Sequence, residues 1–186
     1  QKFGVHNGQG WFVLNEVCDE ITTLTEADVK HLERVLEALL LAGVIDRDIR
    51  PANIMRCRKT NLPMKIDFGF AVQCESEQPK LLPVCGTVRY ASRQLLEKLQ
   101  EHFRGSGTTA AGFTYEYTFA DVEESMAMSK CYLANRALFN ELMPGSEQLT
   151  REVIDDLIAA RERIGLLMKF HRDSILPAGI AICINP

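Results

Sequence analysis

Two stretches, "VIDRDIRPANIM" at 44–55 and "MKIDFGFAV" at 64–72, constrain this chain more than any other part. Asp48, Asn53 and Asp67-Phe68-Gly69 follow at fixed intervals, each beside short apolar, strand-like residues. Strands at 54–57 and 63–66, joined by the polar turn "RKTN", are expected to form a hairpin. A helix is expected just upstream, over 26–42. Thr25 can cap it with Asp28 three positions on, Leu32, Val35, Leu36, Leu39 and Leu40 keep helical spacing, and Gly43 stops it. Helix, polar loop and hairpin together would present three polar side chains at the mouth of a buried scaffold. The plainer alternative is turn chemistry that merely closes the hairpin.

The rest of the chain gives that scaffold its bulk. Residues 10–17, "GWFVLNEV", are expected to form one buried strand, and 73–92 a long surface loop. Helices are expected over 92–103, 119–142 and 150–169, with "RGSGTTAAG" (104–112) as a flexible connector. The apolar tail "ILPAGIAICINP" is broken by proline and glycine and is expected to pack irregularly. Strands early and helices after 92 make a mostly helical domain with a small β patch.

Composition narrows the function classes. With 186 residues the chain is one domain or a large piece of one, and 46% hydrophobic residues supply a core. A net charge of −4 argues against a nucleic-acid surface. No run approaches the roughly 18 apolar residues of a membrane span. Six cysteines without a CxxC pair argue against zinc, and reduced thiols of an intracellular protein, cytoplasmic or nuclear, are the expectation.

Phosphoryl transfer from a nucleotide needs a carboxylate near the accepting hydroxyl and hard oxygen ligands holding magnesium against the phosphates. Asp48 can be that carboxylate, with Asn53 and Asp67 as the ligands. Asp-x4-Asn, then a strand, then Asp-Phe-Gly is the protein-kinase signature in its usual order.

On these residues the chain resembles the C-terminal lobe of a eukaryotic-type protein kinase. "DRDIRPAN" is similar to the catalytic loop, "KIDFGFA" to the metal-binding segment, and "CGTVRYAS" (85–92) to the end of the activation segment. "ASRQ" stands where most such enzymes have Ala-Pro-Glu. Casein-kinase-one-group enzymes replace it with a similar Gly-Thr-x-Arg-Tyr-Ala-Ser run, and their Asp-Asp-Leu-Glu-Ser is similar to "ADVEES" (120–125). Crinkler-type effector kinases share the "DIRPAN" style. The resemblance covers about 11–140 and implies a kinase-like C-lobe, mainly α-helical with a small β-hairpin region and its N-lobe absent or truncated. Within one domain, 1–186, it implies a hinge strand at 11–17, a catalytic loop at 46–53 and an activation segment at 67–94.

The resemblance implies ATP and Mg2+ as cofactors, a Ser/Thr protein substrate, and no nucleic-acid or membrane partner. It implies Asp48 as catalytic base, Asn53 and Asp67 as magnesium ligands, and Arg50 where a lysine often meets the γ-phosphate. Backbone groups of Glu16 and Cys18 would meet adenine. Arg47 would pair with a phosphate or acidic group of the activation segment, Thr87 would touch the catalytic loop, and Asp121 would accept hydrogen bonds from that loop's backbone near Asp46–Asp48.

Four features depart from the pattern or imitate it. Asp46 replaces the catalytic loop's usual histidine and is expected to add charge beside Asp48. The glycine-rich loop and strand lysine of an N-lobe are not in "QKFGVHNGQG", so upstream sequence would have to supply them. "GSGTTAAG" (105–112) and the His171-Arg172-Asp173 triplet imitate motifs without their context. Two other functions fit the residues: an interaction module of pseudokinase type, and a small-molecule kinase, against which "DFG" and "GTVRYAS" weigh.

Overall fold

The computed structural model describes residues 2–6, 9–13, 17–74, 79–105, 110, 112–145 and 149–173. Strands β1 (Lys2–His6) and β2 (Gln9–Val13) form an antiparallel hairpin. The expected buried strand over 10–17 is corrected here: β2 ends at Val13, and Val17 is 59% exposed. Residues 14–16 lie outside the described residues, as do the side chains of Trp11, Phe12 and Val13.

Strand β3 (Cys18–Glu20) leads to helix α1 (Glu26–Leu41), which starts and stops as its sequence dictates. Thr25 Oγ1 accepts from the Asp28 N–H, and the Asp28 carboxylate accepts from the Thr25 N–H, so two orphan amides are satisfied reciprocally. Gly43, at φ 67, ends it; a Cβ there would stand 2.2 Å from the Cys74 carbonyl oxygen. Only a residue without that carbon lets the chain turn so tightly. Strand β4 (Val44–Asp46) follows, then a 3-10 turn over Pro51–Asn53. The expected hairpin is present as β5 (Ile54–Cys57) and β6 (Pro63–Lys65), with β3 on the outer side of β5. Strand β7 (Ala71–Gln73) pairs antiparallel with β4.

The span 73–92 is not simply a surface loop. It holds β8 (Lys80–Pro83) and a 3-10 turn over Val88–Tyr90. Strand β8 pairs with β9 (Thr114–Tyr117), beyond helix α2 (Arg93–Gly105). Tyr115 and Tyr117 are buried on alternate positions of β9, which ties the ladder to the core.

The expected helix 119–142 is two helices, α3 (Phe119–Ala134) and α4 (Arg136–Leu142). Asn135 (φ −151) breaks the run: its side-chain oxygen accepts from the Leu138 N–H and caps α4. Helix α5 (Arg151–Asp173) closes the described chain. One core cluster joins Leu32, Ile45, Ile49, Ile54, Val122 and Met126 beneath the polar loop. A second packs Tyr90, Leu96, Met128, Phe139 and Leu157, with Tyr90 and Phe139 stacked at 5.7 Å. Among the described residues no helix is long and apolar enough to cross a membrane.

Candidate active site

Asp48 sits five residues before Asn53, the 3-10 turn's last residue, and that turn explains the Asp-x4-Asn spacing. Pro51 opens it, and it swings Asn53 back so that Nδ2 donates to the Asp48 carbonyl and to Asp48 Oδ2, both at 2.9 Å. Both residues are buried. The Thr87 N–H and hydroxyl donate to Asp48 Oδ1 at 3.0 and 3.1 Å. Arg50 Nε approaches Asp48 Oδ2 at 3.2 Å, an ion contact rather than an aligned hydrogen bond. A buried carboxylate is retained as an ion only with such company.

Gly86 makes the Thr87 contact possible. Its φ is +80, and a Cβ would lie 2.2 Å from the Arg47 carbonyl oxygen and 3.1 Å from Asp48 Oδ1. The segment lies directly on the polar loop there. Cys85 is beside this carboxylate, but burial pushes its thiol's pKa up, so it stays neutral rather than becoming a nucleophile.

Asp67 follows β6. The Ile66 N–H donates to the Asn53 carbonyl at 2.8 Å, which brings Asp67 to the same end of the hairpin as Asn53. Asp67 itself takes a left-handed backbone (φ 55), and its Oδ1 accepts from the Gly69 N–H at 3.0 Å. The side chain is exposed. Among the described residues, Asn53 Oδ1 and Asp67 Oδ2 accept no hydrogen bond. Those free acceptors suit a magnesium ion that keeps several waters and phosphate oxygens of its own. No group of three His, Cys, Asp or Glu able to cage a metal is found among the described residues.

Asp46 holds its carboxylate beside Asp48, and that charge is paired. Its Oδ2 lies 2.7 Å from Lys65 Nζ, with both side chains sealed from solvent, and its Oδ1 accepts the Asp48 N–H at 3.0 Å. Lys65 was not singled out from sequence, because nothing local marks a strand-end lysine as the partner of a residue nineteen positions earlier.

Asp121 is buried, but not against the polar loop's backbone. Its Oδ2 accepts from Thr118 N and Oγ1 at 2.7 and 3.0 Å, and its Oδ1 accepts from Tyr115 OH at 2.9 Å and from Ser92 Oγ. It anchors the start of α3 to the end of the 80–92 segment. The bond from α3 to the loop comes instead from Ser129, whose hydroxyl donates to the Ile49 carbonyl at 3.3 Å. Arg47 likewise finds carbonyls rather than an acid: Nε donates to Phe70 O at 2.9 Å and Nη1 to Pro83 O at 2.7 Å. Where Ala-Pro-Glu was missing from sequence, buried Arg161 of α5 donates to Glu124 Oε1 and to the Ala91 carbonyl, and the Arg93 N–H donates to Glu124 Oε1.

Glu16 lies outside the described residues. Cys18 opens β3, an edge strand with β5 on one side, paired across to Cys57. The His171-Arg172-Asp173 triplet is the last turn of α5, helical rather than loop backbone. Of the "GSGTTAAG" stretch, 106–109 and 111 lie outside the described residues.

No family model matches the chain. Over 70 residues, 36% of its length, it is 31% identical to ribosomal protein S6 kinase alpha-2 of Mus musculus. The same identity over the same length links it to ribosomal protein S6 kinase alpha-3 of Mus musculus and of Homo sapiens. The matched stretch is 10% of each of those proteins. This likeness supports a kinase-like relationship for the chain.

Proposed function

We propose that this chain forms the C-lobe of a Ser/Thr protein kinase, moving the γ-phosphate of ATP to a protein hydroxyl. The carrying observation is the buried Asp48 carboxylate, oriented by Asn53 Nδ2 and Thr87, with Asp67 delivered to the same hairpin end through Ile66 and Asn53. Asp48 would accept the proton of the attacking hydroxyl. That oxygen bonds the γ-phosphorus as the bond to the β–γ bridging oxygen breaks, and ADP leaves. Asn53 Oδ1 and the Asp67 carboxylate would hold magnesium, which neutralises phosphate charge when bound. Arg50, half-exposed beside Asp48, is suited to meet the transferred phosphate. Glu16 and Cys18 backbone groups would receive adenine.

The likeness to S6 kinases covers a tenth of those proteins, so the intact protein is the material to test. Radiolabelled ATP, magnesium and a generic acidic protein acceptor should give transfer that falls at least about 100-fold in Asp48→Asn, the usual worth of a general base. Loss in Asp67→Ala should accompany it. A second reading, an interaction module without catalysis, draws on one observation: both Asp48 oxygens are already occupied by Thr87, Asn53 and Arg50. Equal background from the intact protein and its Asp48→Asn variant would favour that reading.

A further inference from the structure

Lys65 and Asp46 form the best-sealed ion pair among the described residues, with 1% and 0% of their side chains exposed. Burying two charges is costly, and replacing such a pair by apolar residues is often neutral or stabilising. The pair is therefore poorly explained by stability. Its connections give another reason for it. A lysine ammonium has three donors. Lys65 Nζ donates to the Ile66 carbonyl at 2.6 Å and to the Asp67 carbonyl at 2.6 Å, and lies 2.7 Å from Asp46 Oδ2 as an ion contact rather than an aligned hydrogen bond. Asp46 spends its other oxygen on the Asp48 N–H. One continuous path thus runs from the Asp48 backbone through Asp46 and Lys65 to the Asp67 backbone. The ammonium also lies 4.7 Å from the Phe68 ring centroid.

Asp67 needs such a hold. Its φ of 55 is a conformation that L residues other than glycine seldom take, and it persists only where surroundings enforce it. The Lys65 bond to its carbonyl from one side and the Gly69 N–H bond to its carboxylate from the other fix both ends of the residue.

We propose that Asp46 and Lys65 act as a positioning pair, a buried strut that sets the Asp67 carboxylate relative to Asp48. Neither touches a reacting atom; both act through the backbones they hold. The assignment of Asp48 and Asp67 to metal-nucleotide chemistry rests on the kinase reading above, but the strut itself is testable without it.

Single substitutions leave a buried charge alone and endanger folding. The informative variant is the double substitution Asp46→Asn/Lys65→Met in the intact protein, which removes both charges and keeps volume. Leu157→Ala, in the second core cluster and away from the loop, serves as a control for general loss of stability. Hydrogen exchange at single amides reads the strut directly, since the Asp48 and Gly69 N–H groups donate to the loop and segment it joins. The expected result is exchange at Asp48 and Gly69 at least about tenfold faster in the double variant than in Leu157→Ala matched for stability by added urea. Mn2+ binding in the presence of a non-hydrolysable ATP analogue, followed by electron paramagnetic resonance, should weaken about tenfold as well. Exchange at both amides no faster than in the matched control would overturn the strut. Faster exchange with wild-type Mn2+ affinity would overturn its positioning role. Faster exchange in a protein whose parent binds no Mn2+-nucleotide and transfers no phosphate would uphold the strut while removing the kinase reading.

Discussion

Replacing Gly86 by alanine puts the contact between segment and polar loop to a quantitative test. The new Cβ meets the Arg47 carbonyl oxygen at 2.2 Å, whereas ordinary contact begins near 3.4 Å, so the backbone must retreat by more than 1 Å. A left-handed φ of +80 adds roughly 1–2 kcal/mol for an L residue. The retreat carries the Thr87 donors, now at 3.0 and 3.1 Å from Asp48 Oδ1, past useful hydrogen-bond reach. Each bond to a charged acceptor contributes roughly 1.5–3 kcal/mol, part of which water restores. The expected loss is about 3–5 kcal/mol in urea unfolding of the intact protein. If the mechanism is displacement of Thr87, then Thr87→Val added to Gly86→Ala should cost little more, because the bond is already broken. A loss below about 1 kcal/mol, or full additivity of the two substitutions, would refute the reasoning.

Asp28 offers a pH signature. The Arg56 guanidinium, on both carboxylate oxygens at 2.9 and 2.8 Å, holds its pKa at about 2, against an ordinary 3.8, and outweighs the opposing effect of burial. A depressed folded-state value stabilises the fold above the unfolded-state pKa and loses that contribution as pH falls from about 4 towards 2. Asp28→Asn should therefore cost about 2 kcal/mol at pH 7 and flatten the urea midpoint between pH 4 and pH 2. At the α5 anchor, Glu124→Ala should lower the thermal midpoint more than Arg161→Met. The first strands a guanidinium whose side chain is only 4% exposed, whereas the second leaves a carboxylate that water reaches. Asn135→Ala removes the α4 cap and should cost about 1 kcal/mol by urea unfolding.

What could be read from sequence was what is encoded locally. Helix α1 announced both ends through Thr25, Asp28 and Gly43, and the β5–β6 hairpin through its polar turn. Asp48 and Asn53 were legible because five residues of chain suffice to close their contact. Strands β8 and β9 were not, since each finds its partner more than thirty residues away. The alternation in "TYEY" was the one available signal, with Tyr115 and Tyr117 inward. The Asp46–Lys65 pair left no local trace at all. Asp121 was placed correctly in the interior and given the wrong donors, because burial can be guessed from a helix start whereas partners depend on which strand passes overhead.

Arg47 has a further consequence. It grips the carbonyls of Phe70 and Pro83, while β7 is laced to β4 and β8 to β9. A peptide bond cut between Cys74 and Lys80 would therefore create two new chain ends with no freedom to separate. The halves would stay together as a noncovalent complex, and rebuilding it after denaturation would be second order in protein. Native structure regained on mixing separately made halves would depend on their concentration, a property that an uncut chain does not have.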